Sequence, residues 1–225
     1  MNRRWLKRVL EYRVGSLWPR LKVAAGFFGQ RAYLYAGDVP GKPQYRGAVG
    51  LSLKLPNHRH LQQDITELPL PFRDNSIDLF QAEDVFEHIE YRQLPAVVED
   101  IQRILRPGGR FRLSVPDYRC DVLLDRVQRD EAGNIVFDPG GCGYLTEEGV
   151  KGGGHVWFPL YETVKSLLEG KGFSSVHFFH YFDESGRPQL NDIDYSLGHV
   201  ARTPDHDPRV QSPRRPMSIV VDCIK

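Results

Sequence analysis

The chain predicts an α/β fold built on a parallel sheet, and three observations carry that expectation. Strand-like and helix-like blocks alternate over residues 59–116, a Pro-Gly-Gly run separates a helical pattern from an alternating one, and the bulk composition is that of an ordinary globular domain. At 225 residues, 40% hydrophobic and 26% charged, the chain suits one soluble domain and excludes disordered or fibrous classes. Residues 77–82, Ile-Asp-Leu-Phe-Gln-Ala, read as a short buried strand introduced by the turn Arg73-Asp74-Asn75-Ser76. Leu94, Val97, Val98, Ile101, Ile104 and Leu105 then recur at helical spacing with Glu99, Asp100, Gln102 and Arg103 opposite, which predicts a helix over 94–105. Pro107-Gly108-Gly109 stops it, and Phe111, Leu113 and Val115 alternate in a second strand over 110–115. Strand, helix and strand in this order form a βαβ unit with a right-handed crossover.

Thirty Lys and Arg against 29 Asp and Glu leave a net charge of +1, so no bulk field points to nucleic acid. The balance conceals an asymmetry. The first 31 residues carry +7, from Arg3, Arg4, Lys7, Arg8, Arg13, Arg20, Lys22 and Arg31 against Glu11, and the remainder about −6. Trp5, Leu6, Val9 and Leu10 recur among those charges, which predicts a basic amphipathic helical extension over 1–28 able to meet a membrane surface or a protein partner. No apolar run is long enough for a signal peptide core or a transmembrane helix. Cys120, Cys142 and Cys223 are odd in number and widely spaced, so neither a disulfide framework nor a zinc knuckle is expected. A cytoplasmic location, peripheral at the inner membrane surface through the basic extension, follows as an expectation.

Three blocks at matched spacing carry a resemblance. Asp64-Ile65-Thr66-Glu67-Leu68-Pro69-Leu70-Pro71-Phe72-Arg73-Asp74-Asn75-Ser76-Ile77-Asp78-Leu79, then Val85-Phe86-Glu87-His88-Ile89, then Ile104-Leu105-Arg106-Pro107-Gly108-Gly109-Arg110 resemble the core of class I S-adenosylmethionine-dependent methyltransferases. The resemblance implies a Rossmann-like, seven-strand, mostly parallel sheet with helices on both faces and a C-terminal antiparallel strand pair, over residues 29–225. It also implies S-adenosyl-L-methionine as cofactor, bound beyond the carboxyl ends of the strands. There Asp64 and Ile65 would hold the adenine, Glu83 and Asp84 would follow the next strand, and His88, His155 and Asp117 are the catalytic candidates. A neutral imidazole at that rim suits a general base.

Two positions depart from the family pattern. The loop after the first strand, Ala36-Gly37-Asp38, keeps one glycine where the resemblance calls for two or three. The second strand ends in Leu51-Ser52-Leu53 where an acid should receive the ribose hydroxyls, and Ser52 lacks the two-oxygen acceptor of a carboxylate. Either Asp38 or Glu83 supplies the acceptor, or the fold has lost the cofactor and serves as a binding or scaffold subunit. A cyclase or lyase using the same cofactor is a further alternative.

Beyond Asp117, residues 118–127 predict a helix, the glycine-rich run 133–154 predicts a loop acting as a lid or insert, and 155–173 resemble the superfamily's penultimate helix. Strands over 174–181 and 217–224 would close the sheet. Eight histidines and the acids Asp183, Glu184, Asp192, Asp194, Asp205 and Asp207 show no dedicated ligand spacing, so no metal site is expected. The function the resemblance implies is methyl transfer, expected here as O-methylation of a small-molecule or saccharide-like substrate, without nucleic acid. They leave the oligomeric state open.

Overall fold

The computed structural model describes residues 17–24 and 26–225, so the amphipathic pattern of residues 5–10 lies outside the described residues. Helix α1 spans Leu17–Ala24, and the strands that follow are short: β1 Tyr33–Ala36, β2 Val49–Ser52 and β3 His60–Gln62. Next come β4 Ile77–Glu83, helix α2 Leu94–Ile104 and the long β5 Leu105–Pro116. Pro at the start of α2 is tolerated because the first helical N–H has no intrahelical partner. The expected Pro-Gly-Gly break appears as a bulge within β5 and not as a separating turn: the register with β4 shifts between Ile77 and Leu79. At Gly109 a side chain could not fit, since a Cβ would lie 2.9 Å from the Ile77 carbonyl.

The region after β5 departs from the sequence expectation. The predicted helix over 118–127 shrinks to one turn, α3 Asp121–Leu124, and the glycine-rich run is not an irregular loop. It forms two small hairpins, β6 Gln128–Arg129 with β7 Ile135–Phe137 and β8 Tyr144–Thr146 with β9 Gly149–Lys151. Backbone ladders satisfy there the polar groups that a bare loop would leave to water. Helix α4 follows at Tyr161–Leu168, then β10 Ser175–Phe182, the short β11 Pro188–Leu190 and β12 Ser218–Ile224.

The main sheet has the order β11-β10-β12-β5-β4-β1-β2-β3. Strands β1 to β5 pair in parallel, while β12 runs antiparallel between β5 and β10. The sheet therefore has eight strands where seven were expected. The addition is β11, which pairs with β10 as a hairpin because the turn after Phe182 reverses the chain.

One face of the sheet is apolar: Leu34, Ala36, Phe80, Ala82, Phe111, Leu113, Ile219 and Val221 pack against α2 and α4. Alternation along the strands sends the other set to the opposite face, where Tyr33, Gln81, Glu83, Arg112 and Asp222 are buried. In place of long helices, that face is covered by the segment 191–216 with its 3-10 turns Tyr195–Leu197 and Pro208–Val210. Arg112, fully buried, makes two bonds of 2.8 Å to the Asp222 carboxylate and also donates to the carbonyls of Asp194 and Gly198. Gln81 donates to the His199 carbonyl. A buried charge paired in this way docks the segment through polar bonds where an apolar helix would use area.

Candidate active site

The ends of β1, β2 and β4 and the turn after β3 enclose one cavity of about 680 Å³. Ala36, Gly37, Asp38, Ser52, Asp64, Ile65, Glu83 and Asp84, the eight residues expected to hold the cofactor, all line it, and so does His88. Parallel strands bring this about: each ends at the same edge, so residues far apart in sequence meet there.

After β1 the chain turns at Gly37 with φ 86°, a left-handed conformation that favours glycine. Its N–H donates to the Leu51 carbonyl at 2.7 Å. The loop is then pinned by a residue the sequence reading passed over: Val39 N–H donates to Nε2 of the buried His60 at 2.9 Å. A histidine bond thus fixes the loop where the expected extra glycines are missing.

Ser52 ends β2 and donates through Oγ to Asp38 Oδ1 at 2.6 Å, and Lys54 pairs with the other Asp38 oxygen. Burial works against the charge on Asp38, but the bonds from Lys54 and Ser52 outweigh it and hold the carboxyl below the usual range. The side chain keeps 40% exposure, leaving acceptor capacity facing the cavity. A carboxylate therefore stands at the end of β2 after all, supplied from the β1 loop.

Glu83 is engaged on the opposite side. It is buried, accepts from Tyr45 Oη at 2.7 Å and from Ala201 N–H at 2.6 Å, and burial pushes its carboxyl above the ordinary range. It anchors the 191–216 segment through Ala201 while lining the cavity. Asp84, with φ 55°, pairs with Arg202 at 3.1 Å, while its Oδ1 is buried without a hydrogen-bond partner among the described residues. Asp64 Oδ1 accepts from Thr66 N–H and Oγ1, both at 2.8 Å, which shapes the turn that presents the buried Ile65. Leu53, at the lip of the cavity, is 73% exposed.

The three catalytic candidates separate. Asp117 is fully buried and accepts from Arg119 N–H at 3.0 Å and Phe182 N–H at 2.7 Å, tying β5 to β10. Burial raises its carboxyl to about 6. It does not line the cavity, so its place is structural, a correction to the sequence expectation. His88 sits on the 3-10 turn Phe86–His88 after β4, with Nδ1 2.8 Å from the Gly153 carbonyl. His155 lies behind it, buried, its ring 4.7 Å from that of His88 and its Nδ1 bonded to Tyr118 Oη. Burial lowers His155 to about 4, so its imidazole is neutral near pH 7.

A family model described as a methyltransferase domain matches residues 46–113, less than half of the chain. Among solved structures, the chain is similar to a SAM-dependent methyltransferase from Archaeoglobus fulgidus, with 15% identity over 100% of both chains and a TM-score of 0.51. It is also similar to an S-adenosylmethionine-dependent methyltransferase from Mesorhizobium loti, with 17% identity over 95% of this chain and 100% of that one and a TM-score of 0.49. No curated protein matches the sequence. The chain shares its fold with the Archaeoglobus protein, and the methyltransferase-domain model falls on the βαβ core whose strand ends surround the cavity.

Proposed function

We propose that the cavity binds S-adenosylmethionine and that the chain transfers its methyl group to an oxygen of a small-molecule or saccharide-like acceptor. The observation that carries this reading is the convergence of the eight strand-end residues on one cavity of about 680 Å³, within the roughly 300–1,000 Å³ usual for ligand pockets. The residues fit the group. The bare backbone at Gly37 leaves room for a chain crossing above it, Asp38 offers the ribose a charged acceptor, and Ile65 with the exposed Leu53 offers an adenine apolar walls. When bound, the cofactor supplies an electrophilic methyl group ready for in-line displacement.

The protein's own part is mostly positioning. His88 lies at the cavity edge, and because the Gly153 carbonyl can only accept, Nδ1 carries the proton and Nε2 presents a lone pair. The ring of His88 at the cavity edge marks the side on which an acceptor hydroxyl sits. Among the described residues no helix is long and apolar enough to cross a membrane. The +7 leader supports a further part of the proposal, a peripheral contact with an anionic membrane surface or an acidic protein. Calorimetric titration of the full chain with S-adenosylhomocysteine tests the central reading: saturable heat at one site supports it, and no heat at millimolar ligand overturns it.

A further inference from the structure

Behind the cavity three side chains face one another with nothing to hold them apart. Glu87, on the 3-10 turn after β4, is fully buried, and neither carboxylate oxygen has a hydrogen-bond partner among the described residues. His155 Nε2 lies 3.8 Å and His88 Nε2 3.9 Å from Glu87 Oε1, and ligand-type atoms of all three residues lie within 4.8 Å of one another.

The neighbours fix where the imidazole protons are. Asp138, paired with Arg126 at 2.7 Å, only accepts, so the Tyr118 hydroxyl donates its single proton to it at 2.7 Å. Tyr118 Oη is then left to accept from His155, whose Nδ1 must carry the proton. For His88 the Gly153 carbonyl imposes the same tautomer. Both Nε2 atoms thus present lone pairs toward an unpartnered carboxylate. Separations of 3.8 and 3.9 Å are too long for hydrogen bonds, which close at about 2.7–3.2 Å. They are close to the spacing of ligands about a shared ion: bonds of about 2.1 Å at tetrahedral angles put donor atoms roughly 3.4 Å apart. Glycine at 141 lets the His155 ring take this position, because a Cβ there would sit 2.9 Å from its Cδ2.

We propose that Glu87, His88 and His155 bind a borderline divalent metal ion of the zinc type, with Tyr118 and Asp138 orienting His155 from behind. Two neutral imidazoles and one carboxylate form an N₂O set that prefers such ions to magnesium. A hydrogen bond on the far nitrogen of each ligating histidine is the usual support of such sites. Three protein ligands leave a coordination position, and His88, which borders the cofactor cavity, links the ion to an acceptor molecule there. The catalytic consequence rests on the methyl-transfer reading: an acceptor hydroxyl bound to the ion loses its proton more readily, and His88 then holds the ion and is not itself the base.

The test is zinc binding by the full chain after dialysis against chelator, followed by calorimetry and by ¹⁵N spectra of the histidine rings. One equivalent of Zn²⁺ with both Nε2 resonances shifted, weaker uptake of Mg²⁺, and affinity lowered about 10- to 100-fold in Tyr118→Phe support the proposal. Glu87→Gln should abolish stoichiometric uptake while raising the melting temperature of the metal-free chain, because an orphaned buried carboxylate is removed. No stoichiometric zinc in the wild type, or equal uptake by Glu87→Gln and by a Cys142→Ser surface control, overturns it. Should Glu87→Gln not fold, unshifted Nε2 resonances in the wild type with zinc do so alone. Titrating S-adenosylhomocysteine into the same metal-free sample keeps failure of the metal site distinct from failure of the cofactor reading.

Discussion

Replacing Asp38 by alanine removes the carboxylate that stands at the end of β2, and its cost to cofactor binding can be worked from the structure. The side chain is oriented by Ser52 at 2.6 Å and by Lys54, keeps 40% exposure and faces the cavity. A hydrogen bond to a charged acceptor contributes about 1.5–3 kcal/mol, so Asp38→Ala should weaken S-adenosylhomocysteine binding roughly 10- to 100-fold. Ser52→Asp alone should not help, because it sets a second carboxylate against Asp38 and like charges repel. The exchanged pair, Asp38→Ser with Ser52→Asp, rebuilds the same hydroxyl–carboxylate contact in mirror order and should recover most of the affinity. Calorimetry on the four proteins decides the matter. If Asp38→Ala binds within twofold of the wild type, or the exchanged pair binds no better than Asp38→Ala, the ribose acceptor lies elsewhere.

Further predictions concern the second face and the buried acids. Arg112→Met leaves the Asp222 carboxylate with Arg110 as its one cationic partner and frees two carbonyls of the 191–216 segment; a cost of about 2–3 kcal/mol, or roughly 5–10 °C in melting temperature, should appear in thermal denaturation. His180 is buried among Asp192, Asp205 and Arg214 and lowered by burial to about 4. The folded state keeps it neutral while the unfolded state takes up a proton below about pH 6.5, so its contribution is intact above that pH and lost progressively as pH falls to about 4. At pH 5 the loss is about 2 kcal/mol, and denaturant titrations of His180→Phe should show a flatter pH profile over that window. Asp117→Asn should destabilise by about 1–3 kcal/mol, since an amide cannot accept from both backbone donors through equivalent oxygens, yet leave S-adenosylhomocysteine affinity unchanged once folded.

Legibility from sequence followed locality. The βαβ core was readable because its signals are short-range: periodicity set α2 within a residue of its observed Leu94–Ile104, and alternation marked the core of β5. The cofactor rim was readable because parallel strands deliver their ends to one edge whatever lies between. What could not be read were contacts made by folding alone. Nothing in the spacing of Ser52 and Asp38 says that one donates to the other, and nothing near His60 marks it as the pin of the β1 loop. The glycine-rich run looked unstructured because glycine weakens strand patterns, yet hairpin ladders need only backbone. Glu87 adjoins His88 in the block 85–89, but its partner His155 is 68 positions further along, and no linear spacing rule links them.

The antiparallel strand between β5 and β10 carries a consequence for the order of assembly. Its central bond, Arg112 to Asp222, spans 110 positions, so the sheet cannot be completed until β12 has been synthesised. Strands β1 to β5, with the cavity at their ends, can pair earlier, leaving β5 with an open edge of unpaired backbone N–H and C=O groups. Such an edge invites pairing with other chains while it waits. Slow or interrupted synthesis upstream of Ser218 should therefore favour aggregation over a partly active form, which makes β12 the element on which the yield of soluble protein depends.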